Sequence, residues 1–162
     1  MKIQYSYLKN FLNTNLSQKK LSDVFTQVGF ECEIEKDIIE FDITPNRGDA
    51  LSLRGLEREF YASQSKKPNQ KIETSSLKLI QDKKIINQID GSGCGNYHLM
   101  MVKGLQKIKN LDSKKLSFIE SAGIPVINPL VDLGNYVMLE LGAPMHVFDL
   151  AKLALPINVL FP

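Results

Sequence analysis

Phe30-Glu31-Cys32-Glu33-Ile34-Glu35-Lys36-Asp37-Ile38-Ile39-Glu40-Phe41-Asp42-Ile43 alternates apolar and acidic side chains on either side of Lys36-Asp37. A period of two is the signature of a half-buried strand, so residues 30–34 and 38–43 are expected to pair around a turn at Lys36-Asp37. In the second strand Ile39, Phe41 and Ile43 face one way, and Glu40 and Asp42 the other. Upstream the period changes. Leu21, Val24, Phe25 and Val28 recur at helical spacing, Ser17 stands ready to cap that helix, and Gly29 fits a left-handed end. Met1 to Tyr5 reads as a short strand, with Ser6 capping a brief helix through Leu12. Downstream, Asp49 is expected to cap a helix whose apolar stripe is Leu53, Leu56 and Phe60. Residues 1–65 therefore predict a small α+β domain.

From Gln64 to Ser76 the chain turns polar, and 66–76 is taken as a linker. Beyond it, residues 77–162 are expected to form a second, partial α+β domain. Residues 84–89 and 97–102 have strand character, a helix begins at Ser113 and ends at Gly123, and Ile157 to Phe161 reads as a strand. A further helix over 130–141 carries Leu130, Leu133, Val137 and Leu141 on one face. No internal repeat is present. A chain ending on an apolar strand at Phe161-Pro162 looks cut, because an unpaired hydrophobic edge invites aggregation.

Composition narrows the classes. The 162 residues are 43% hydrophobic and 23% charged, with a formal charge of +2. That length allows a real core, burying about 68–70% of the unfolded surface. The balance excludes both a polybasic nucleic-acid coat and a disordered coil. Charge is distributed unevenly: residues 125–162 hold only Asp132, Glu140, Asp149 and Lys152, and 23 of those 38 residues are apolar. This quarter is interior material, of this chain or of something it packs against. Charges and Pro144 interrupt it too often for a membrane span, and no secretory signal opens the chain. Cys32 and Cys94 support neither a disulfide framework nor a metal site, so a reduced, cytoplasmic protein is expected.

Three segments could carry chemistry. In Thr44-Pro45-Asn46-Arg47-Gly48-Asp49 a rigid turn presents a guanidinium, which could grip a phosphate or simply pair with a nearby acid. In Asn128 to Asp149 the oddities are Asn135 within a helix and His146 after a Gly-Ala-Pro turn. A polar group beside a core needs a partner or a ligand, yet a lone histidine defines no catalytic site. Lys103, Lys107, Lys109, Lys114 and Lys115 could touch an RNA backbone, although no aromatic residues interleave with them to form a stacking platform. Gly91-Ser92-Gly93-Cys94-Gly95 lacks the ending of a phosphate loop.

Two long segments carry a family likeness. Glu40-Phe41-Asp42-Ile43-Thr44-Pro45-Asn46-Arg47-Gly48-Asp49, followed by Leu51-Ser52-Leu53 and Arg58-Glu59, is one. Asn135-Tyr136-Val137-Met138-Leu139-Glu140-Leu141-Gly142, with Pro144, His146, Phe148 and Asp149, is the other. Together with the opening Met1-Lys2-Ile3-Gln4-Tyr5-Ser6-Tyr7-Leu8, they make the sequence resemble the N-terminal part of the bacterial-type phenylalanyl-tRNA synthetase β subunit.

The resemblance implies an α2β2 ligase that uses ATP and Mg²⁺ to join phenylalanine to its tRNA, with the aminoacylation site on the α subunit. It implies partners in that α subunit, the remaining β-subunit domains and, through the complex, tRNA(Phe). It places Asn135 and His146 in the pocket that hydrolyses mischarged tRNA, and gives Thr44, Pro45, Asn46, Arg47 and Asp49 a structural turn.

The sequence departs from the family's pattern in three ways. The tRNA-binding barrel expected between Glu35 and Ile38 is absent, Gly134 replaces a common threonine, and the acidic and glycine-rich segments completing the pocket are not in the chain. No catalytic residue, metal or cofactor is therefore assigned to this chain alone, and its own hold on tRNA is expected to be weak or absent. Two other functions stay open: a stand-alone hydrolase of mischarged tRNA, and a non-catalytic interaction module.

Overall fold

The computed structural model describes residues 1–68, 86–89, 93–104 and 108–160. Strand β1 (Lys2–Gln4) runs directly into α1 (Tyr5–Phe11). Then come α2 (Gln18–Gln27), the hairpin β2 (Glu31–Glu35) and β3 (Ile38–Asp42), a 3₁₀ turn at Pro45–Ala50, and α3 (Leu53–Ser63). The later elements are β4 (Ile86–Ile89), α4 (Ser113–Ser121), α5 (Pro129–Leu141), a 3₁₀ turn at Leu150–Lys152 and β5 (Ile157–Val159). The class is α+β, as the alternation at 30–43 required.

Strand β3 lies at the centre of an antiparallel sheet ordered β1-β3-β2. Ile39 sits opposite both Ile3 and Ile34, and Phe41 opposite Cys32. Lys36, at a φ of +53°, makes the turn. One side of the sheet puts Ile3, Ile39 and Phe41 fully into the core. On the alternate positions Glu33 opposes Glu40 and Glu31 opposes Asp42, while Lys2 pairs with Glu40 at 3.3 Å.

Two compact units emerge. The first contains the described residues of 1–70 and 108–147, the second those of 71–107 and 148–162. In the first, Phe25 meets Phe41 edge-on at 5.0 Å, and Leu21, Leu53, Leu56 and Phe60 close over them. Each such buried side chain stabilises by about 1.5–3 kcal/mol. Residues 108–147, which the sequence groups with the rest of 77–162, share this core. Phe118 and Ile119 of α4 are fully buried, and the Tyr7 ring stacks on Phe118 at 4.4 Å. Residues 69–76 of the expected linker lie outside the described residues.

In the second unit β4 and β5 pair in parallel, with Ile86 opposite Ile157 and Ile89 opposite Val159. Residues 97–102 form no strand, contrary to expectation. Strand propensity reports fit to a pleated, half-buried surface. Met100 and Val102 are instead well exposed, with no ladder partner among the described residues. The strand expected at 84–89 is described only over 86–89. Gly91-Ser92, Lys107 and Phe161-Pro162 also lie outside the described residues.

The caps divide instructively. Ser17 accepts from the Lys20 amide, and Gly29 stands at a φ of +98°, both as expected. Ser6 caps nothing: α1 already begins at Tyr5, and the Ser6 hydroxyl donates to Asp37 at 3.1 Å. Asp49 does not cap α3 either. Ser52, three residues on, accepts from the Gly55 amide at 3.0 Å, because Asp49 is held by Arg47 within the preceding turn. The packed face of α5 also differs from the expected stripe. Leu133 and Leu141 are 43% and 41% exposed, whereas Asp132, Gly134 and Leu139 are buried. Periodicity locates an apolar face but not the polar residues that neighbouring helices capture.

Candidate functional site

Helix α5 is the element that carries the candidate residues, and its ends are firmly made. Asn128 accepts from the Leu130 and Val131 amides, Pro129 pre-sets the first turn, and buried Asp132 reaches back to the Ile127 amide at 2.8 Å. Gly142 ends the helix at a φ of +76°, its amide donating to the Met138 carbonyl at 2.8 Å. Its backbone lies against Ser52, the α3 cap, where a Cβ would come within 3.4 Å.

Asn135 projects from the middle of α5, half-buried and without a hydrogen bond to a described residue. His146 lies in the exposed segment that follows Gly142. No hydrogen bond joins the two. At Gly134 a Cβ would meet nothing within 4 Å, so the fold itself leaves room for a larger side chain there. Among the described residues no group of three His, Cys, Asp or Glu side chains could hold a metal ion.

Behind Asn135 runs a polar network that the sequence did not reveal. Tyr7 of α1 donates to the Tyr136 hydroxyl at 3.2 Å, and Tyr136 in turn bonds to Glu140. Glu140 accepts from Arg54 of α3 at 3.2 Å, and the same guanidinium pairs with buried Glu57 at 3.0 Å while covering Phe11 at 4.9 Å. Burial pushes the Tyr136 phenol above its ordinary range, helped by its bonds to Tyr7 and Glu140. Burial also raises Tyr7, partly offset by the Tyr136 bond. The network ties α1 and α3 to α5. The available signals were Arg54 and Glu57 three apart inside an apolar stripe, and Glu140 in a nearly uncharged helix.

The Thr44–Asp49 turn is separate from this network. Pro45 opens the 3₁₀ turn, and the Arg47 guanidinium holds Asp49 through two bonds of 3.0 and 3.1 Å and Glu59 through one of 2.6 Å. It also covers the Phe30 ring at 5.1 Å. Those contacts raise Arg47's pKa, and the Arg47 bonds hold the Asp49 carboxyl below its ordinary range. The guanidinium is taken up by acids of its own unit.

Comparison with known proteins gives the class first: residues 93–161 match the B3/4 domain family. Three relatives then specify it. The phenylalanine–tRNA ligase β subunit of Colwellia psychrerythraea is 38% identical over 123 residues, covering 76% of this chain and 15% of the relative. That of Haemophilus influenzae is 34% identical over 128 residues, covering 79% and 16%. That of Rhodopirellula baltica is 29% identical over 160 residues, covering 94% and 23%. The chain belongs with the phenylalanine–tRNA ligase β subunits, and it spans about a sixth of the length of the first two relatives.

Proposed function

We propose that this chain works as a portion of a phenylalanine–tRNA ligase β subunit, supporting ATP- and Mg²⁺-dependent charging of tRNA(Phe) within an α/β complex in the cytoplasm. The observation that carries this reading is a likeness running in order from the first helices into the B3/4 match at 93–161. On the same reading the family's own division is 1–65, a linker at 66–76 and a partial editing domain over 77–162. ATP and Mg²⁺ belong to the whole ligase, and no residue of this chain is assigned to hold them.

Asn135 and His146 are then a remnant of the editing pocket. An amide can hold the ribose or the ester-linked amino acid, and an imidazole can orient water. Two residues without the rest of a preorganised pocket supply little rate, so the chain alone is not a hydrolase. The exposed Leu133 and Leu141 on α5 suit a subunit that packs against partners.

Copurification of the full chain with a ligase α subunit, followed by a phenylalanine charging assay, tests the reading. Charging is expected only with the α subunit present, and failure to associate with it would overturn the proposal. Deacylation of tyrosyl-tRNA should be no faster with the native chain than with His146→Ala.

A further inference from the structure

We infer that the surface between α1 and α4 is a binding site for an unpaired nucleotide of single-stranded RNA, with Tyr7, Phe11, Asn10 and Lys114 as its lining. In sequence the lysines of this region lacked aromatic company. Folding supplies it. Tyr7, Asn10 and Phe11 of α1 line one open depression with Lys114 of α4.

The depression has the parts such a ligand needs, and they are held in place. The Tyr7 ring is backed on one face by Phe118 at 4.4 Å and tethered through its hydroxyl to Tyr136. The Phe11 ring is backed by the Arg54 guanidinium at 4.9 Å. Rings already locked by packing lose little entropy when a base stacks on them. The exposed Asn10 amide offers both donor and acceptor to a base edge. Lys114 is exposed and forms no ion pair with a described residue, so its ammonium is available to a phosphate. The neighbouring acid, Asp112, is engaged by Lys115 at 2.6 Å, and that ammonium also lies 5.5 Å from the Tyr136 ring centre. Within the lining the single charge is therefore the Lys114 ammonium, set beside two aromatic rings, while the acids behind it, Asp112 and Glu140, are paired with Lys115 and Arg54. A cation beside stacking rings is the combination that binds single strands without reading sequence.

This site rests on its own geometry, not on the ligase reading, since a chain that joins no α subunit would still bind the RNA. The test is fluorescence anisotropy of the full chain with a fluorescein-labelled oligoadenylate, against a matched RNA duplex, over a series of salt concentrations. The single strand is expected to bind saturably at low salt and the duplex at least about tenfold more weakly. Lys114→Ala, on an exposed position, should weaken binding and lower the salt slope by about one. Phe11→Leu, shown by circular dichroism to remain folded, should weaken it by about fivefold or more. Absence of single-strand binding overturns the proposal. So does equal affinity for duplex, or wild-type affinity in either variant.

Discussion

Arg54 and Arg47 show at the residue scale how two similar ion-pair clusters differ in consequence. Arg54 and Glu57 are 16% and 3% exposed, so removing the guanidinium strands a carboxylate away from water. Arg54→Ala should cost about 3–5 kcal/mol, measured by urea denaturation. The Arg47 cluster is more open and acts through pH. Asp49 titrates below the ordinary 3.8 because Arg47 bonds to it, so its contribution is present above that value and is lost as pH falls through the lowered one. Wild-type chain should therefore exceed Asp49→Asn in urea midpoint near neutrality, with the gap closing on acidification below the ordinary 3.8. Gly55 provides a third case. A Cβ there would collide with the Asp49 carbonyl oxygen, a backbone atom that cannot turn aside. Gly55→Ala should destabilise by about 1–3 kcal/mol despite alanine's better helix propensity.

Among the elements, α3 joins a buried apolar stripe to a buried cap, whereas α5 is held more through its ends and its polar face. Ser52 is 2% exposed and is the cap of α3. Ser52→Ala should lower stability by about 1–2 kcal/mol, visible as a reduced melting temperature. On α5, Leu133→Ala should cost less than about 1 kcal/mol, whereas Phe118→Ala on α4 should cost about 3–5 kcal/mol. The difference reflects exposure and not residue type.

These elements also mark the limit of legibility. The hairpin at 30–43 was readable because alternation is local, and the α2 cap because Ser17 bonds to the amide of Lys20 in its own first turn. The buried face of α5 was not, since Tyr7 and Arg54, more than eighty positions away, choose which side packs. For the candidate site, Asn135 and His146 could be singled out from sequence, but Tyr7, Phe11 and Lys114 could not. Only the fold brings α1 beside α4.

At the scale of the whole molecule, two features of the first unit are open to spectroscopy. The chain has five tyrosines, and Tyr7 and Tyr136 share a hydrogen bond inside the helical layer. Both phenols are raised above the ordinary 10.0. A spectrophotometric titration should show a late-ionising component from this pair, and Tyr7→Phe should change that alkaline portion of the curve. The pair's contribution to stability is complete below pH 10 and is lost as pH rises through the raised values.

The parallel pairing of β4 with β5 bears on the order in which the molecule can be made. Ile89 and Ile157 are separated in the chain by every residue of α4 and α5. At a synthesis rate of about 5–20 residues per second, the partner of β4 emerges several seconds after β4 itself. The first unit meanwhile receives all of its described helices before β5 exists. Closing so long a loop is entropically dear, so the second unit is the non-local, slow part of the fold. Chains terminated at residue 147 and released from the ribosome should already protect α3 and α5 from proteolysis, while protection of 86–89 should arrive only with 157–159.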